Sequence, residues 1–132
     1  MIDFEKMGGL VPAIIQDNIT GKVLMLGYMN EEAYKKTIDT RKVTFWSRSR
    51  NTLWTKGETS GNTLDLVDIK VDCDGDALLV TASPNGPTCH KGTDTCWGET
   101  NTASPLLFLK ELQDFIQRRH DEMPEKSYTT SL

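Results

Sequence analysis

The sequence predicts an α+β fold, a mostly antiparallel β-sheet with a few helices. Two observations carry this. Short β-rich apolar runs are separated by turn-forming residues, and two segments carry the chemistry that starts a helix. Val11 to Gln16 leads into Asp17-Asn18-Ile19-Thr20-Gly21 and then Lys22 to Tyr28, the pattern of a hairpin. Asn30 caps a helix whose first turn holds Glu31 and Glu32, acids suited to the positive end of the helix dipole, and which runs to about Thr40. Val43 to Arg48 reads as a third strand. Leu64 to Val71 and Ala77 to Ala82 read as two more, joined by a turn at Asp72 to Asp76. Ser104-Pro105 then opens a final helix with Phe108, Leu109, Leu112, Phe115 and Ile116 on one face.

The bulk properties bound the function. At 132 residues the chain fits one domain with a short appendage. A hydrophobic share of 37% implies a modest core, or surface buried against a partner subunit. With 15 basic and 19 acidic residues the net charge is −4, which disfavours a generic polyanion surface and so nucleic acid as a partner. No apolar run approaches the ~18 residues of a membrane span. Met1-Ile2-Asp3-Phe4-Glu5 lacks the basic and apolar regions of a signal peptide, so a cytoplasmic location is expected. In that reducing setting the three cysteines are more often metal ligands or catalytic groups than disulfides.

Three segments carry chemistry. The first is the cysteine set. Cys73 lies in the predicted hairpin turn, and Cys89 and Cys96 lie in a Pro-, Gly- and Thr-rich stretch from Ser83 to Thr102 with no periodicity, a loop long enough to suggest function. Zinc takes thiolate and imidazole ligands, and three protein ligands plus water make a catalytic site. Three buried reduced cysteines are the plainer alternative. His90 is open between a fourth ligand, a general acid/base and a structural histidine; adjacency to Cys89 makes sharing that ion strained and favours the acid/base role.

The second segment is Asp72-Cys73-Asp74-Gly75-Asp76. Alternate carboxylates share one face of an extended backbone, with Cys73 on the other. Their repulsion calls for a hard cation such as Mg²⁺, unless the segment is a solvated polar turn. The spacing is not that of an EF-hand, since the glycine is fourth and position twelve is Ser83.

The third runs from Val43 through Arg48 and Arg50 to Lys56-Gly57-Glu58-Thr59-Ser60-Gly61-Asn62. Arginine grips phosphate with two parallel hydrogen bonds, lysine acts as a point charge, and small polar residues complete an anion cradle. Trp46 and Trp54 are either stacking surfaces for a base or strand residues of the core.

Together these segments resemble the phosphoribosyl-AMP cyclohydrolase family of histidine biosynthesis. The resemblance rests on Val23-Leu24-Met25-Leu26-Gly27-Tyr28-Met29-Asn30, Phe45-Trp46-Ser47-Arg48-Ser49-Arg50, Leu53 to Asn62, Asp72 to Asp76, and Gly86-Pro87-Thr88-Cys89-His90-Lys91-Gly92 with Cys96. These pieces occur in family order over roughly residues 9 to 100. The resemblance implies an intertwined homodimer with zinc shared between Cys73 of one subunit and Cys89 and Cys96 of the other, Mg²⁺ at Asp72, Asp74 and Asp76, and catalysis by His90. It implies hydrolysis of the N1–C6 bond of the adenine ring of 1-(5-phosphoribosyl)-AMP, with zinc-bound hydroxide as nucleophile and His90 relaying a proton to N1. Arg48, Arg50, Lys56, Glu58 and Ser60 are the expected substrate-binding residues.

Residues 1–104 would form this domain. Residues 105–132, with Leu109-Lys110-Glu111-Leu112, Ile116-Gln117-Arg118-Arg119 and Pro124 to Leu132, resemble the first helix and following loop of phosphoribosyl-ATP pyrophosphohydrolase. The paired acidic helices of that family are missing from the sequence, so no pyrophosphohydrolase activity is expected.

Overall fold

The computed structural model describes residues 1–102 and 105–122, apart from the side chains of 105–108. The chain divides into two units, Met1–Thr102 and Ala103–Leu132. In the first, a 3₁₀ turn at Glu5–Met7 precedes β1 (Val11–Asp17), β2 (Val23–Met29), α1 (Glu31–Thr40), β3 (Thr44–Ser47), β4 (Thr52–Thr55), β5 (Leu64–Val71) and β6 (Leu78–Pro84). Four strands form one sheet in the order β2-β1-β6-β5, and β3 with β4 forms a second, two-stranded sheet. The class is α+β and mostly antiparallel, as expected.

β1 and β6 depart from the antiparallel rule. They run parallel, pairing Ala13 with Leu78 and Asp17 with Ala82. The chain reaches β6 only after passing through α1 and the β3–β4 hairpin, and it returns by the antiparallel β5–β6 turn.

Burial explains the register. Val11, Ala13 and Ile15 alternate inward on β1, as do Leu78, Val80 and Ala82 on β6, and they meet Leu24, Met29, Ala33 and Phe45 in one core. The opposite face of the sheet carries Pro12, Ile14 and Leu79, all half-buried, beside Leu26, 42% exposed. α1 begins where expected: the Asn30 side chain accepts from the Ala33 N–H at 2.8 Å.

β4 lies inside the basic and aromatic stretch, where the sequence alone marks no strand. Pairing Phe45 with Trp54 and Trp46 with Leu53 across a four-residue bend makes it a strand, and the Phe45 and Trp54 rings pack at 5.7 Å. Trp54 therefore serves partly as a core residue, one of the two roles left open.

Gly57, just after β4, has φ +80°, and a Cβ there would sit 2.3 Å from the Asn62 backbone. Gly57→Ala is expected to cost about 2–4 kcal/mol, from left-handed strain plus the clash. Equilibrium denaturation checks this, and a loss below about 1 kcal/mol would contradict it.

In the second unit α2 spans Pro105–Glu122. Leu109, Leu112, Phe115 and Ile116 are 43–57% exposed. Ser104, the Phe108 side chain and the tail from Pro124 to Leu132 lie outside the described residues.

Candidate active site

The loop after β6 is held by backbone bonds that fold it into a tight excursion. The Thr88 N–H donates to the Asp94 carbonyl at 3.2 Å, Cys89 to Thr93 at 3.0 Å, and Gly92 to Cys89 at 2.9 Å. The Cys96 N–H donates to the Leu24 carbonyl at 2.8 Å, fastening the loop to the start of β2. Its far end is fixed by Asp17. One Asp17 oxygen accepts from Ile19 and Thr20 N–H at 2.7 and 2.9 Å, and the other from Asn101 Nδ2 at 2.8 Å. Burial alone would push this carboxyl up, but the bonds from Asn101, Thr20 and Ile19 outweigh it and hold it below the usual carboxylate range.

This architecture brings part of the expected site together. Lys56, Glu58, Ser60, Cys89 and His90 line one cavity of about 310 Å³. Trp54, Asn62 and Thr88 complete its wall. His90 is exposed, whereas Lys56 is 8% exposed, an ammonium sunk in the wall 5.8 Å from the Trp54 ring centre. Arg48 and Arg50 are placed differently. The Arg48 guanidinium lies 4.4 Å over the Tyr28 ring. Arg50 lines an adjacent 280 Å³ cavity that shares Trp54 and Glu58 with the first.

The thiols of Cys89 and Cys96 interact directly. The Lys91 backbone N–H, the Thr93 hydroxyl and the Cys96 thiol lower the Cys89 pKa below the ordinary thiol value. Desolvation, and then the charge of Cys89, raises that of Cys96. Such a pair supplies two soft donors, the chemistry zinc selects.

Cys73 is not with them. It sits in the turn before β6, while Cys89 and Cys96 follow the other end of that seven-residue strand. Strand rise alone separates those ends by ~20 Å. No third thiol joins Cys89 and Cys96 among the described residues of one chain.

The acidic turn does gather Asp72, Asp74 and Asp76, each offering an oxygen within 4.8 Å of the others. The turn expected there, rather than alternation along extended backbone, gathers them. The segment is a tight turn, with Gly75 at φ +80° and Asp72 accepting from the Asp76 and Ala77 N–H groups at 2.9 and 3.1 Å. Bonding with Asp74 and Asp72 raises the Asp76 pKa, as expected of crowded like charges. The Lys6 ammonium reaches this cluster, 3.4 Å from Asp74 and 3.2 Å from Asp76. This contact spans 68 residues of sequence and has no local signature.

Thr88 was not singled out, although it sits beside Cys89 in the loop motif. It is 1% exposed, and its hydroxyl has no hydrogen-bond partner. A buried unsatisfied hydroxyl costs about 1–3 kcal/mol, so Thr88→Val is expected to raise the stability of the free chain by about 1 kcal/mol. Thermal unfolding tests this; a lower melting temperature would show that the hydroxyl has a partner.

Comparison with known proteins places the chain. Residues 25–98 match the family model described as phosphoribosyl-AMP cyclohydrolase, more than half of the sequence. The chain belongs to the phosphoribosyl-AMP cyclohydrolase family. The matched span contains the cavity, all three cysteines and the acidic turn. Proteins named histidine biosynthesis bifunctional protein HisIE are close relatives of this cyclohydrolase-family chain. That of Bacteroides thetaiotaomicron is 69% identical over 99% of this chain and 64% of its own length. That of Photobacterium profundum is 56% identical, covering 99% and 65%, and that of Escherichia coli K12 is 55% identical, covering 99% and 64%. The chain thus spans a little under two thirds of these curated relatives. No helix among its described residues is long and apolar enough to cross a membrane.

Proposed function

We propose that this chain hydrolyses the N1–C6 bond of the adenine ring of 1-(5-phosphoribosyl)-AMP, giving the formimino-aminoimidazole-carboxamide ribonucleotide of histidine biosynthesis. The observation that carries this reading is the family match over the residues that build the 310 Å³ cavity, where a histidine, a cysteine and a sunken lysine converge. Water adds across the bond, its oxygen going to C6 and a proton to N1. The ribosyl group on N1 leaves the ring cationic and C6 electrophilic. His90, exposed on the cavity wall, is the group that delivers the proton to N1 as the ring opens.

Cys89 and Cys96, with Cys73 of a second copy of the chain, would hold zinc; bound there, zinc supplies acidified water near neutral pH. The separation of Cys73 from the thiol pair along β6 supports a site shared between two chains. The half-exposed apolar face of the sheet, with Ile14, Leu26 and Leu79, supports a dimer. Asp72, Asp74 and Asp76 would hold Mg²⁺, and their hard oxygen donors fit it.

Lys56 in one cavity and Arg50 in its neighbour are the cations for the two substrate phosphates, with Trp54 and Glu58 as the common wall, Ser60 as a cradle hydroxyl and Arg48 at the margin. Residues 105–132 are read as the beginning of the second part of the bifunctional relatives.

The decisive experiment incubates the purified chain with phosphoribosyl-AMP, zinc and magnesium, and follows the change in ultraviolet absorbance as the purine ring opens. Absence of turnover by a dimer with both metals bound would overturn the proposal.

A further inference from the structure

The Asp72–Asp76 turn is not bare in the free chain. Lys6 Nζ lies between two of its carboxylates, 3.4 Å from Asp74 Oδ2 and 3.2 Å from Asp76 Oδ2, with the Asp74 carbonyl at 3.5 Å. The lysine is delivered there by a docked N-terminal segment. The Asp3 N–H donates to the Gly75 carbonyl at 2.8 Å, and the Phe4 ring meets Tyr34 edge-on at 6.2 Å. A Cβ on Gly75 would lie 2.6 Å from the Met1 carbonyl, so only glycine lets the segment lie this close to the turn. The ammonium is thus a tethered stand-in cation on the carboxylates that the proposed Mg²⁺ site uses.

We infer that Lys6 is a specificity-determining residue of the carboxylate site: a built-in monovalent cation that excludes other monovalent ions and yields to a divalent one. The inference rests on the reading of Asp72, Asp74 and Asp76 as a cation site. An ammonium held by the fold meets the carboxylates intramolecularly, so it competes with free K⁺ of equal charge. A divalent ion doubles the charge and takes oxygen ligands at shorter range, so it displaces the lysine side chain. Phe4 and the Asp3–Gly75 bond anchor the segment independently of Lys6, so the side chain can swing out without the segment leaving.

The test is calorimetric titration of the metal-free full chain with Mn²⁺, in low and in physiological KCl, for the wild type, Lys6→Ala, Lys6→Arg and Asp74→Asn. Lys6→Ala is expected to bind Mn²⁺ about two- to fivefold more tightly at low salt, the scale of one exposed ion pair. Its affinity should fall more steeply with KCl than that of the wild type, because K⁺ now competes at the turn. Lys6→Arg should keep the wild-type affinity and salt dependence. Equal affinity and equal salt dependence in Lys6→Ala and the wild type would overturn the role of Lys6 while leaving the cation site intact. No Mn²⁺ binding by the wild type, or binding indifferent to Asp74→Asn, would overturn the cation site and the inference with it.

Discussion

A Cys73→Ser chain and a Cys89→Ser chain are each expected to be inactive alone and to recover activity when mixed. The geometry of β6 makes this sharp. Cys73 precedes the strand and Cys89 and Cys96 follow it, a placement that supports the proposed three-thiol centre drawn from two chains. In a two-fold dimer each site then draws Cys73 from one subunit and the other two thiols from its partner. A mixed dimer of the two variants keeps one site fully intact and loses two groups from the other. Random exchange of equal amounts should therefore restore about a quarter of wild-type activity, with zinc content recovering in step. If all three thiols of a site came from one chain, both sites of the mixed dimer would stay broken and no activity would return. The measurement is turnover and zinc content after joint refolding, against each variant refolded alone. Recovery near zero would overturn the shared site.

The parts of the molecule legible in the sequence are those whose physics is local. The hairpin β1–β2, the Asn30 cap and the extent of α1 follow from turn chemistry, capping and periodicity within a few residues. β5 was legible to its last residue because Leu64 to Val71 is bounded by turn formers on both sides. β4 was not, because Thr52 to Thr55 is a strand only through pairing with Phe45 and its neighbours.

The same division runs through the site. Cys89 and His90 declared themselves by residue type within one motif, and the cavity indeed holds both. Their closeness to Lys56 depends on the path between the two sheets and has no local signature. Thr88 carries no mark in the sequence beyond adjacency to Cys89; its distinction is an unpartnered hydroxyl, which only packing creates. Lys6 reaches the acidic turn because the N-terminal segment docks on that turn, a tertiary event. The carboxylate cluster was legible because the turn at Asp72 to Asp76 is itself local; the bonds within that turn bring the oxygens together.

His90→Ala is expected to lose activity by a factor on the order of 10²–10⁴ while keeping its zinc, the size of effect that a positioned acid contributes. The two predictions differ in kind, since the cysteine variants should lose metal and activity together. Cys89 and Cys96 already pair through their sulfurs without the imidazole, and the residue next to a ligand reaches the same ion only through backbone strain. His90 instead stands exposed on the cavity wall with Lys56 and Glu58, where substrate rather than metal is its natural partner. Breaking the N1–C6 bond without a proton donor would expel a basic ring nitrogen as a poor leaving group, so the loss should appear in kcat more than in KM. Added imidazole should restore part of the rate by occupying the space the side chain leaves. Zinc content separates the alternatives: a His90→Ala chain that fails to retain zinc would make His90 a ligand, and one with wild-type turnover would remove it from the chemistry.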